Sequence, residues 1–239
     1  MTLQAKLLDL TAYVRDVEVE FLDDLPATER EATGTAENWT AKDTVAHVAS
    51  WRVRGSQQLA AHSPGEVEEE EQELDGVNRL LYEQNRDLSW DEVSKRSREA
   101  WHGFLESLRE TTDAMLAAPS GSAGSRPVWR RVTVDAGTHP VFHFSDYAIR
   151  FGRAPRALAW MEALSVRLID LDPAPEWHGV VHYNMACHLA LSGQSAAALE
   201  SLRKGLELNP DLREWSTEDS DLASLHGNPR FTELTVARL

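Results

Sequence analysis

The apolar residues of the first two dozen positions constrain this chain most. Leu3, Leu7, Leu10, Val14, Val17, Phe21 and Leu25 recur at steps of four and three. That period, near 3.5, gathers them on one stripe of an α-helix. A stripe this long needs other helices to cover it, so it predicts a bundle. Thr2 stands where an N-cap belongs, and Pro26 follows the end. The stepping returns in Val93, Ser97, Ala100, Phe104, Leu108, Thr111 and Met115, which predicts a second long helix ending near Ala118. Ser89 and Glu92 form a capping box at its start.

The segments between are also helical in pattern. "TGTAENW" (33–39) reads as a loop, and Thr40 with Asp43 makes another capping box. The helix that follows, 41–62, turns Ala41, Val45, Val48, Ala49 and Leu59 inward. "EVEEEEQE" (66–73) reads as a solvated loop or helix start, with a cation-binding role as the sharper alternative. A helix over 74–86 comes next. "APSGSAGSRP" (118–127) is the most flexible stretch by composition, and "VWRRVTVDAG" reads as extended or irregular. Pro140 opens a helix in "VFHFSDYAIRF", Gly152 and Pro155 punctuate, and "RALAWMEALSVRLIDLDP" is helical up to Pro173. No strand is predicted, so the fold class is all-α.

The whole chain bounds the partners. Its 239 residues suit one large domain or two small ones. A net charge of −15 argues against nucleic acid or an anionic membrane as main partner, since both select basic surfaces. No apolar run reaches the ~18–20 residues of a membrane span. No cationic stretch precedes an apolar one in "MTLQAKLLDL", and the single cysteine, Cys187, excludes an intrachain disulfide. The expected location is the cytoplasm.

In the last third, Ala186, Gly193, Ala198, Gly205 and Pro210 take the small-residue and terminal-proline places of a helix–turn–helix unit about 34 residues long. Gly193 serves the turn.

Two resemblances follow from these motifs. "NWTAKDTVAHVASW" (38–51), "DGVN" (75–78) and "SWDEV" (89–93), each followed by a helix, resemble the DinB-like superfamily and its ClbS/DfsB-like branch. That resemblance covers about residues 3–152 and implies a four-helix bundle. "YNMACHLALSGQ" (183–194), "AALESLRKGLELNP" (197–210) and "EDSDLASLHGNPRF" (218–231) are similar to tetratricopeptide (TPR) repeats of the end-of-group type. The expected organisation is a bundle over 1–152 and TPR-like helical hairpins over 153–239.

The DinB-like resemblance implies a divalent metal, zinc or nickel, held by three histidines: one on the second helix and two spaced four apart on the last. His47 matches the first. His139 and His143 have the spacing of the pair, because residues i and i+4 share a helix face. Pro140 disfavours helical geometry at His139, which places that residue at an N-cap with imperfect alignment. The other alignment pairs His143 with position 147, where Tyr147 stands, and leaves two histidines, with Asp146 or the acidic loop as substitute ligands. The plainer reading of His47 is a partly buried structural histidine.

The remaining polar candidates are structural. His102 reads as a helix-surface residue, His178, His182 and His188 as packing or solvent-facing residues, and Cys187 as a small buried residue. No G-x-S-x-G, P-loop or G-x-G-x-x-G occurs. Of the eight tryptophans, Trp51 beside His47 is placed to line a cavity between helices.

Three functions stay open on these residues. One is a metal-dependent thiol transferase or hydrolase acting on a small electrophile. Another is a non-enzymatic protein that binds a protein partner, or a second copy of itself, through the TPR-like half. The third is a bundle whose active site has been lost.

Overall fold

The computed structural model describes residues 1–61, 74–120 and 126–236. The glutamate-rich stretch 66–73 and the centre of the Gly/Ser-rich stretch, 121–125, lie outside the described residues. The described chain is helical throughout, with no β-strand and only two isolated bridges, Thr35 with Asn38 and Pro119 with Pro127. Its helices are α1 (Leu3–Asp23), α2 (Ala27–Arg30), α3 (Ala41–Ala61), α4 (Leu74–Asn85), α5 (Trp90–Glu110), α6 (Asp113–Ala117), α7 (Val128–Thr133), α8 (His139–Arg150), α9 (Ala154–Leu171), α10 (Pro175–Leu191), α11 (Ser195–Leu208), α12 (Leu212–Glu218) and α13 (Pro229–Thr235). A π-helical turn, Val134–Thr138, joins α7 to α8, and a 3-10 segment, Ser220–Leu225, precedes α13. None of the described helices is long and apolar enough to cross a membrane.

The chain divides into two units, Met1–Phe144 and Ser145–Leu239, and the division falls within α8.

In the first unit, α1 buries Leu7, Leu10, Val14, Val17 and Phe21, five positions of the stripe. They pack toward α5, whose own stripe buries Val93, Ser97, Ala100, Phe104 and Leu108. Helix α3 pairs with α5 and with α4. Each Leu, Val or Phe so buried contributes roughly 1.5–3 kcal/mol. The caps form as their residue types predict. Thr2 accepts the Ala5 N–H at 3.2 Å, Thr40 and Asp43 exchange their backbone N–H bonds at 2.9 and 3.3 Å, and Ser89 and Glu92 do the same at 2.8 and 3.3 Å.

Three local expectations need correction. The long helix from Trp90 stops at Glu110, because Thr111 turns extended and Thr112 starts α6 as an N-cap, accepting the Met115 N–H. The Gln4 side chain donates to the carbonyls of Leu108, Arg109 and Thr111, which satisfies the helix end left open by the break. "VWRRVTVDAG" is helical rather than extended, forming α7 and most of the π turn. His139, expected at an N-cap, has helical dihedrals of −56° and −51°. Its N–H reaches back five residues to the Val134 carbonyl. This wider turn relieves the clash that the Pro140 ring would make with the carbonyl four residues earlier, so the helix runs through the proline.

In the second unit, α10 and α11 form a close antiparallel pair whose turn uses Gly193 at φ +75°. Gly179 and Gly205 face each other across it. A Cβ on Gly205 would lie 3.1 Å from the Gly179 carbonyl oxygen and 3.1 Å from the Tyr183 nitrogen. Ala186 and Ala198 are fully buried between the same helices, with Leu199, Leu202, Leu206, Leu222 and Phe231 around them.

Candidate metal centre

Helix α3 carries His47 one turn inside the Thr40–Asp43 capping box, and α8 carries His139 and His143 one turn apart. The structure brings these three side chains together. His47 Nε2 lies 2.9 Å from His139 Nε2, and His139 Nε2 lies 3.1 Å from His143 Nε2. Each pair of rings has centroids 4.6–4.9 Å apart. The continuation of α8 through Pro140 is what makes this possible, since it sets His139 one full turn ahead of His143.

Two indoles flank the cluster. The Trp39 ring lies 4.5 Å from the His47 ring and 5.8 Å from that of His143, while Trp51 lies 5.9 Å from His139. Both are anchored at their polar tips: Trp39 Nε1 donates to the Ala36 carbonyl and Trp51 Nε1 to Asn78 Oδ1, each at 3.1 Å. The loop bearing Trp39 is fastened by the Tyr82 hydroxyl, which donates to the Gly34 carbonyl at 2.9 Å. Gly34 has no room for a side chain, since a Cβ there would run into Asp43 Oδ2.

Burial keeps the His47 and His139 imidazoles neutral. Burial, then the charges of His143 and His139, push His47 down to about 2. Burial, then His143 and Arg52, push His139 down to about 3. Of two neutral imidazoles with Nε2 atoms facing each other, only one can donate. Three converging Nε2 atoms offer three lone pairs when each imidazole carries its proton on Nδ1, and converging lone pairs are what a divalent cation takes. Three histidine nitrogens also match the donor set of catalytic zinc, which leaves one position open. A tetrahedral ion with ~2.1 Å bonds would hold its nitrogens ~3.4 Å apart, near the 2.9 and 3.1 Å separations of His139 from His47 and His143.

Beneath this cluster lies a buried ion pair. Glu18 of α1 is fully buried, takes Arg52 Nη1 at 2.5 Å and Arg15 Nη1 at 3.1 Å, and accepts the Ser97 hydroxyl. Burial would push its carboxyl up, but Arg52, Arg15 and Ser97 outweigh that and hold it below the usual range.

The other candidates fall elsewhere. Tyr147 is buried and stacked on Phe151, with ring centroids 4.4 Å apart. Asp146 lies with His188, Oδ1 to Nε2 3.6 Å, within the second unit. His102 is exposed, and His178 Nε2 sits 2.9 Å from the Asp172 carbonyl as a packing residue.

A second group of potential ligands was not legible in the sequence. Cys187, Asp219 and Asp221 place ligand atoms within 4.8 Å of one another. Asp219 Oδ2 accepts the Tyr183 hydroxyl at 2.7 Å and the Cys187 thiol at 3.7 Å, while Oδ1 accepts the Asp221 N–H at 2.9 Å. Burial first, then Asp219 and Asp221, push the thiol well up, which favours the neutral thiol over the thiolate. No spacing rule links a cysteine inside one helix to "EDSD" some thirty residues later.

No known protein family, curated protein or solved structure matches the chain.

Proposed function

We propose that the first unit is a DinB-like bundle that holds a divalent metal, zinc or nickel, through His47, His139 and His143, and acts on a small electrophile as a thiol transferase or hydrolase. The observation that carries this reading is the convergence of three Nε2 atoms from two helices in a neutral, largely buried setting. A bound ion supplies Lewis acidity and lowers the pKa of a coordinated water or thiol. The chain's own residues supply the rest. His47, His139 and His143 present lone pairs, and Trp39 and Trp51 wall the cluster and exclude bulk water. Glu18 holds the Arg52 guanidinium in place, and the Arg52 charge helps keep His139 unprotonated.

The test is metal content by mass spectrometry after loading with Zn²⁺ or Ni²⁺ and dialysis. The expected result is near one metal per chain in the wild type and loss in His47→Ala and His143→Ala. A wild type that retains no metal overturns the reading.

A second reading, that the second unit is a TPR-like module, is supported by the close, glycine-lined crossing of α10 and α11. In it the second unit binds a protein partner or a second copy of the chain. Size-exclusion chromatography with light scattering on the full chain and on Trp215→Ala tests the second copy, since Trp215 is the largest exposed apolar side chain of that unit.

A further inference from the structure

His47 and Trp51 occupy one side of α3, and the helix carries a second, separate feature on another. Ala46, Ser50, Val53 and Gln57 follow one another at steps of four and three along α3. On α5, Val93, Arg96, Ala100 and Gly103 follow one another in the same way. Together these two rows line a cavity of about 440 Å³, within the ~300–1,000 Å³ of small-molecule sites.

The cavity exists because its walls are made of small residues. Ala46, Ala49, Ala100 and Gly103 stand where larger side chains would fill it. A Cβ on Gly103 meets nothing nearer than Ser56 Oγ at 4.0 Å, so there is space for more than a hydrogen atom there. Its inner end is polar and organised. Asn85 donates to Ser50 Oγ at 3.2 Å and to the Leu81 carbonyl at 2.7 Å, and its Oδ1 accepts from Arg96 Nη1 at 3.2 Å.

Ala46 and Asn85 also line a small void of about 10 Å³ that His47 borders. With Nε2 of His47 turned to His139, its Nδ1 is buried and has no hydrogen-bond partner. A buried polar atom without a partner calls for a ligand group or a water. The lining holds one charge of each sign, Arg96 beside Asn85 and Glu99 one turn along α5, so the cavity favours no net charge in its occupant.

We infer that this cavity binds a small, neutral, mostly apolar molecule with one hydroxyl, its apolar body between α3 and α5 and its hydroxyl donating to Asn85 Oδ1, toward His47. The site does not depend on an ion at the histidine cluster. None of the residues lining the larger cavity is a histidine of that cluster.

The test uses the metal-free 239-residue chain and the neutral fluorescent probe N-phenyl-1-naphthylamine. The expected result is saturable binding, one probe per chain, weakened about tenfold or more by Gly103→Leu and by Ala49→Leu, because the added side chains occupy the space. Both variants should keep wild-type helix content by circular dichroism. The same titration on His143→Ala, which removes a ligand of the metal reading and lines neither cavity, should still saturate, and this separates the site from that reading. Absence of saturable binding, or equal affinity in folded filling variants, overturns the inference. So does a switch of the filling variants from dimer to monomer, which would make the groove a self-association face.

Discussion

His47 on α3 and His139 on α8 face each other nitrogen to nitrogen at 2.9 Å, across 92 residues of sequence. Two imidazoles at that distance share one proton or one cation. If the shared partner is a cation, loading with paramagnetic Ni²⁺ will quench tryptophan emission, because the Trp39 ring lies 4.5 Å from His47. Titrating the wild type and Trp39→Phe with Ni²⁺ checks this. Most of the quenching should disappear in the variant, and His47→Ala should show none that saturates at one equivalent.

The buried pair Glu18–Arg52 gives a stability prediction. Glu18→Ala leaves Arg52, 2% exposed, without its carboxylate. A buried ion pair broken on one side costs about 3–5 kcal/mol. Denaturant unfolding should show that loss, and the double variant Glu18→Leu, Arg52→Met should recover much of it, since only Arg15, the more exposed of the two partners, then lacks its carboxylate.

Asp135 of the π turn gives a pH prediction. Burial pushes its carboxyl up to about 6, against the opposing pull of Arg131 and Arg54. A carboxyl raised above its unfolded value of 3.8 favours the folded state most at low pH, and that contribution is lost as pH rises through about 6. Asp135→Asn should therefore raise the melting temperature at pH 7.5 and change it little below the unfolded value, at about pH 3.5. The gain at pH 7.5 should be on the order of 2 kcal/mol.

Gly205 tests the helix pair of the second unit. A side chain there would press on the Gly179 carbonyl and the Tyr183 backbone, both at 3.1 Å from its Cβ. Gly205→Val should cost about 2 kcal/mol through forced separation of α10 and α11. Hydrogen exchange should rise in those two helices and stay unchanged in α1, α3 and α5.

Much of the fold was legible because its determinants are local. The stripe from Leu7 to Phe21 was visible as a period, and Thr40–Asp43 and Ser89–Glu92 as caps, since each involves residues within one or two turns. The errors came where a local signal was overruled. Thr111 carried the apolar period onward, yet the helix ends there because Gln4, over a hundred residues away, satisfies the open carbonyls. Pro140 argued against a helical His139, and a π turn, which leaves no mark in composition, absorbed it.

By itself the sequence determined that the described chain is all helix, where most helices begin, and which histidines share a face, because periodicity and capping act over a few residues. Tertiary structure alone decided that His47 meets His139 and His143, that Cys187 meets Asp219 and Asp221, and that small residues on α3 and α5 leave a cavity between them. Those relationships join positions tens of residues apart. They depend on how helices cross and on which side chains fill the space between them, and no spacing along the chain encodes either.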